Sequence, residues 1–278
     1  MGNRDRFGLS GLCRWLIIIC LVMALVPAAG CRRKLPAKIR VVATTSLIAT
    51  IVQAVGDGKV TVTTIAPPGF CPGHFDIQPA TVLQVNEAQL LLNHGWEGWF
   101  ERLRAGIRNP GLRVVTMKTS GNWMIPEIHQ QATAEITRIL VEMEPADSLF
   151  FQDNARRYQQ QIDSIRNEIT GWFANRELPK VIAAEHQAPF VRWLGFKVVA
   201  TYGRPEDWTA QELSRLARVI VDSGVGLIVD NLQSGPDAGQ ELARAAGIPR
   251  VTLSNFPLEG SYFQTLMENC NRLAAALR

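Results

Sequence analysis

Short β-branched runs alternate with amphipathic segments twice over, on either side of one long stretch of helical periodicity, and this alternation restricts the fold more than any other feature. Runs of that kind bounded by turn residues read as strands, and apolar positions recurring every three to four residues read as covering helices; alternated, they build a parallel sheet. The first series predicts strands at 40–45, 60–66, 89–93 and 112–117, with helices at 47–55, 79–87 and 98–107. The second predicts strands at 180–184, 197–201, 227–230 and 250–253, with helices near 189–194, 209–223, 236–246 and 262–277. Thr209 and Glu212 stand in capping-box spacing, which marks where one of these helices begins.

Between the two series, Asp147 or Ser148 can cap a helix running to about residue 175, with Tyr158, Ile162, Ile165, Ile169 and Trp172 on one stripe. A helix of about thirty residues is about 45 Å long, enough to act as a strut along both halves and to limit hinge motion. The expected class is therefore α/β: two parallel-sheet lobes joined by one long helix, with a ligand cleft between them. The expected division is an N-terminal lobe over 39–146, the connecting helix over 147–176 and a C-terminal lobe over 177–278. A chain of this length suits two domains of ordinary size.

Residues 1–30 read as an export signal: Arg4, Arg6 and Arg14 precede an uncharged stretch from Trp15 to Ala29 that ends at Gly30-Cys31. The stretch is shorter than the roughly twenty apolar residues of a stable membrane span, and Arg32, Arg33 and Lys34 follow at once, so it reads as cleaved. The residues before Cys31 resemble a bacterial lipobox, which implies a lipidated Cys31, a short anchoring linker over 31–38 and an extracytoplasmic protein held at a membrane. Removing three Arg and one Asp lowers the formal charge from +4 to +2, and nothing in that balance points to nucleic acid. A monomer is expected.

Cys13 and Cys20 fall within the signal, which leaves Cys71 and Cys270 beyond Cys31 and no disulfide framework. Cys270 shares a helical stripe with Leu266, Leu273 and Leu277 and reads as a small core residue.

Ligands of open parallel sheets bind beyond the carboxyl ends of the strands. His74 lies in the loop after the second strand, His94 directly follows Leu90-Leu91-Leu92-Asn93, His186 follows Val181-Ile182-Ala183-Ala184, and Asp230 ends Leu227-Ile228-Val229. Three of the four histidines, drawn from both halves, thus stand at strand exits that could converge on the cleft. Imidazole suits zinc and its neighbours, and a closed zinc site takes four nitrogen, sulfur or carboxylate donors. Three His with one Asp or Cys would complete it.

The mature chain resembles the zinc and manganese family of ABC-importer solute-binding lipoproteins across nearly its whole length. Ile39 to Ser46 looks like that family's first strand and turn. Pro68-Gly69-Phe70-Cys71-Pro72-Gly73-His74-Phe75-Asp76-Ile77-Gln78-Pro79 resembles its first ligand loop, which implies His74 as a ligand, and Ala184-Glu185-His186-Gln187-Ala188-Pro189-Phe190 resembles its third, which implies His186. Asn93 to Trp99 resembles another landmark turn, one residue shorter and carrying His94 where the family has no ligand. Glu144-Pro145 and the segment from Arg204 to Leu213 extend the similarity.

Two departures stand out. Gly121-Asn122-Trp123-Met124-Ile125-Pro126 has no His where the family carries its second ligand, and Ser254 or Asn255 replaces its final Asp. His94 is the expected substitute for the missing His, and Asp230 either supplies the carboxylate or caps the next turn. His129, near the start of a helix over 130–143, reads as a solvated residue. Cys71, three residues before His74, is open to three readings: a zinc ligand, a loop thiol, or a disulfide partner of Cys270. Trp96, Trp99 and Phe100 read as helix-face core.

The expected function is a binding protein and not an enzyme: capture of a divalent transition metal, Zn2+ first and Mn2+ as an option, as cargo for the permease of an ABC importer. A diverged relative carrying a metal chelate or small organic ligand is the alternative. A metal-dependent hydrolase on His74, His94 and His186 is third, since only Glu97 and Glu185 are at hand as a general base.

Overall fold

The computed structural model describes residues 38–70, 73, 75–258 and 261–277. The expected signal, Cys31, Cys71 and His74 lie outside them.

The first series builds β1 (Ile39–Ala43), α1 (Ser46–Gly56), β2 (Val60–Thr64), α2 (Pro79–Glu87), β3 (Leu90–Asn93), α3 (Phe100–Ala105) and β4 (Arg113–Thr116). Next come α4 (Pro126–Met143) and the long α5 (Ser148–Phe173). The second series is β5 (Lys180–Ala184), α6 (Ala188–Trp193), β6 (Lys197–Tyr202), α7 (Ala210–Ser223), β7 (Val225–Asn231), α8 (Gln240–Ala246), β8 (Arg250–Leu253) and α9 (Tyr262–Ala275). The strands form two four-stranded sheets in the orders β2-β1-β3-β4 and β6-β5-β7-β8, parallel throughout. The α/β class and the two parallel-sheet lobes are therefore as expected.

Each strand alternates its side chains between faces. Val41, Ala43, Leu90 and Leu92 of the first sheet join Val181, Ala183, Leu227 and Val229 of the second in one continuous core, which also holds Tyr158, Ile162 and Ile169 of α5. The intervening residues face outward onto separate clusters, Val42 and Leu91 with Trp99 and Leu103, and Ile182 and Ile228 with Leu216 and Leu242. A core shared by both lobes resists their separation, since opening would return that apolar surface to water.

At 26 residues α5 is slightly shorter than its periodicity suggests. Asp147 does not cap it with its side chain; it pairs instead with Lys59 at 3.0 Å, tying the helix start to the first lobe. Asn154 donates to the Val55 carbonyl at 2.9 Å in the interior, which ties α5 to α1. The Thr209 hydroxyl accepts from the Glu212 amide at 3.1 Å and caps α7 as its spacing predicts.

His129 departs from expectation. It is fully buried where α4, α5 and α9 meet, because α4 begins at Pro126, earlier than the periodicity suggests, and turns this position inward. Its Nδ1 lies 3.2 Å from the Trp123 carbonyl and its Nε2 2.9 Å from the Tyr158 hydroxyl. A carbonyl can only accept, so Nδ1 carries the proton and Nε2 accepts from Tyr158. The Tyr262 ring stacks on the imidazole with centroids 3.7 Å apart, and its hydroxyl donates to the Met124 carbonyl at 3.1 Å.

Burial pushes the His129 pKa from 6.5 down to about 3, against a smaller opposing effect of the Trp123 carbonyl. The folded state keeps this imidazole neutral while the unfolded chain protonates it below about pH 6.5. Stability is thus fully present above pH 6.5 and falls as the pH drops toward 3, by about 1.4 kcal/mol per pH unit for this one group. Urea denaturation of the wild type and His129→Gln between pH 7 and pH 4 should show the variant less stable at pH 7, with a slope below pH 6.5 shallower by about that amount; equal slopes would remove His129 as the cause.

Candidate metal site in the cleft

In both sheets the strand order reverses between the two central strands, β1 and β3 in one and β5 and β7 in the other, and the crevice beyond their carboxyl ends is where such sheets bind ligands. The loops leaving those strands and their neighbours β4 and β8 line one cavity of about 620 Å³ between the lobes, with His94, Trp96, Asn122, Trp123, His186 and Asn255 among its walls.

His94 is the first residue after β3. The turn that carries it is held by Glu97, a buried carboxylate that accepts from the Thr44 hydroxyl at 2.5 Å, the His94 amide at 2.9 Å and the Gly95 amide at 2.8 Å. Gly95 has φ +87°, and a Cβ there would stand 2.7 Å from Thr116 Cγ2, so glycine is required by both conformation and space. The His94 ring stacks on Trp96 at 5.1 Å and meets the edge of Trp123 at 4.6 Å, and its Nε2 lies 2.8 Å from the Thr45 hydroxyl. Burial lowers its pKa to about 4, partly offset by the Glu97 charge, so the ring is neutral at neutral pH and suited to bind an ion.

His186 follows β5 on the opposite wall and is exposed. Its carbonyl accepts from the Asn122 amide group at 2.8 Å and from that of Asn255 at 3.1 Å, and Asn122 also donates to Asn255 Oδ1 at 3.0 Å. The segment in which the resemblance implies a His and the one in which it implies an Asp are thus joined by an amide pair that bridges the lobes. Gln233 adds a second junction, donating to the Pro68 carbonyl at 3.2 Å and to Ser254 Oγ at 2.8 Å.

Asp230 is not brought to the cavity. It continues the outward face of Ile228, where its Oδ1 accepts from the Tyr202 hydroxyl at 2.5 Å and the Gly239 amide at 2.8 Å, and its Oδ2 pairs with Arg250 at 2.7 Å. Its neighbour Asn231 faces the cavity instead, because strand side chains alternate with period two. Glu97 is likewise engaged within its turn, while Glu185 stands exposed at the cavity lip. Among the described residues no three His, Cys, Asp or Glu side chains are grouped to hold one ion. Of the expected ligands the structure brings His94 and His186 to one cavity, and Gly73, within the first ligand loop, lines it too.

Cys270 is a free, buried thiol beside Leu266 and Leu273, as its stripe predicts. Trp99 is buried core, but Trp96 is half-exposed on the cavity wall, a departure from its expected core role. Sequence reasoning overlooked Thr45, Gln233 and Lys118. The strand-exit rule, applied to β4 and β7 as well, points to Lys118 and Gln233.

A profile of the family described as zinc-uptake complex component A, periplasmic, matches residues 41–276. A manganese ABC transporter substrate-binding lipoprotein of Streptococcus anginosus is 22% identical over 201 residues, 63% of this chain and 65% of the relative's length, so the match spans less than two thirds of that protein. Another from Streptococcus gordonii is 23% identical over 221 residues, 68% of this chain and 71% of the relative. The fold is similar to that in a crystal structure of ZnuA, with TM-score 0.76 and 15% identity over 86% of this chain and 99% of that one. It is also similar to a manganese-bound serine-to-alanine variant of a periplasmic metal-binding protein of Candidatus Liberibacter asiaticus, with TM-score 0.76 and 16% identity over 87% of this chain and 100% of that one.

Asp230→Ala tests the division between cleft and core. Removing one partner of a buried ion pair costs about 3 kcal/mol, so denaturant unfolding should show a loss of that order, while zinc affinity stays within about threefold of wild type, less than about 0.7 kcal/mol. A large loss of affinity with little loss of stability would return Asp230 to the ligand set.

Proposed function

The chain belongs to the periplasmic zinc-uptake complex component A family, and on that footing we propose that it is the extracytoplasmic solute-binding subunit of an ABC importer, taking a divalent transition metal from outside the membrane to the permease. The observation that carries this reading is the meeting of His94 and His186, one from each lobe, in a single cavity at the reversal points of the two sheets. The Thr45 hydroxyl stands 2.8 Å from His94 Nε2; with Nε2 protonated and Thr45 accepting, the Nδ1 lone pair would be left for the ion, in the way a hydrogen-bonded neighbour sets the ligating nitrogen of a metal-bound imidazole. His74, in a loop whose Gly73 lines the same cavity, is the third ligand, and Cys71 is the sulfur donor nearest to it in sequence.

Imidazole donors favour zinc over manganese, which prefers oxygen, so Zn2+ is the first cargo to test. Catalysis is not part of the reading. Glu97, one of two candidate bases, already accepts three hydrogen bonds, two within its own turn and one from Thr44. Lipidation at Cys31 would hold the protein at the membrane beside its permease, as a monomer with modest lobe closure limited by the shared core.

Metal content and zinc and manganese titrations of the purified chain, beside His74→Ala, His94→Ala, His186→Ala and Cys71→Ser, test this directly. One zinc per chain is expected, with each His replacement weakening binding at least about a hundredfold, or about 2.7 kcal/mol. Absence of any bound metal would leave the fold as the transporter's and the cargo as something else. In a membrane fractionation, Cys31→Ala should move the protein from the membrane to the soluble fraction.

A further inference from the structure

A divalent cation brings two positive charges, and the donors around this cavity do little to balance them. Imidazole binds an ion as the neutral ring and amides carry no charge, and both amide oxygens of the Asn122–Asn255 pair already accept, one from the Met124 amide at 2.8 Å and the other from Asn122. Glu97 is filled by Thr44 and its own turn, Asp230 faces the far side of its sheet, and Glu185 is exposed at the lip. A third imidazole from His74 would add a ligand but no negative charge. An ion in a partly desolvated cleft with little compensating charge is unfavourable, and an anion arriving with it would supply what Glu185, exposed to solvent, does not.

The rest of the cavity suits such an anion. Its volume of about 620 Å³ lies in the range of small-molecule sites, about 300–1,000 Å³, and far exceeds the roughly 30 Å³ share of one water-sized occupant. Lys118, exposed at the exit of β4, and Arg204, which also pairs with Glu206 at 3.0 Å, line it together with the two histidines. Trp96, stacked on His94 and half-exposed, supplies a flat apolar wall.

We propose that the cargo is a divalent metal already held by a small polycarboxylate chelator of the citrate class. His94 and His186 fill the metal's open coordination positions, and Lys118 and Arg204 receive the chelator's outer carboxylates. The proposal rests on the cleft being a metal-capture site and specifies the form in which the metal arrives.

Equilibrium dialysis of the purified full chain against radiolabelled citrate, with and without equimolar Zn2+, tests it. One citrate retained per chain with zinc is expected, at least tenfold more weakly without zinc, and at least tenfold more weakly in Lys118→Ala, whose exposed side chain can be removed without disturbing the core. Zinc bound to full occupancy with no citrate retained would overturn the chelate and leave metal capture standing. If Cys71→Ser then abolished that zinc binding, a thiolate would be the source of the missing charge. Retention of neither zinc nor zinc citrate would overturn both readings, and citrate held equally well without zinc would make the site one for an organic anion.

Discussion

The continuous apolar core that runs from the first sheet through α5 into the second is the constraint on which the remaining structure depends. Its strand residues occur at every second position, so burying them decides which way each intervening side chain points. Val229 turned toward the shared core places Asn231 on the cleft side and sends Asp230 outward to Tyr202 and Arg250. A one-residue slip of β7 would exchange those roles and leave a carboxylate where an amide now lies.

Polar contacts refine what the core imposes. His129 sits where α4, α5 and α9 meet, and its neutral tautomer satisfies the Trp123 carbonyl and Tyr158 at once while Tyr262 covers its face. Its two hydrogen bonds make burial of an imidazole tolerable and tie the first lobe to the connecting helix, while the Tyr262 stack adds the second lobe. Nearer the cleft, Asn122 with Asn255 and Gln233 with Pro68 bridge the lobes directly. In this chain the lobes are joined across the cleft by the protein's own amides, in addition to any bridge that cargo provides.

The same amides explain how the cleft differs from what the family resemblance implies. A His and an Asp would supply a nitrogen lone pair and a charge, whereas an asparagine pair supplies mutual hydrogen bonding and no charge. The cleft consequently combines two imidazoles, one of them held neutral by burial against Trp96 and Trp123, with cationic side chains at Lys118 and Arg204. Electrostatics of that kind favour a metal that arrives with its own negative ligands.

The architecture was legible in the chain because strand and helix periodicities are local: Lys180–Ala184 and Arg250–Leu253 coincide with their expected limits, and the Thr209 cap forms where its spacing places it. The candidate roles of His94 and His186 were legible for a related reason, since the end of a parallel strand is a position in sequence and also a position in space. Which side chains actually meet was decided by tertiary packing. Burial of His129 depended on three helices converging, the exclusion of Asp230 on which face of β7 met the shared core, and the Asn122–Asn255 bridge on residues 133 positions apart. Periodicity records which residues share a face of one element, whereas the burial, partners and charge of a side chain depend on the elements packed against it.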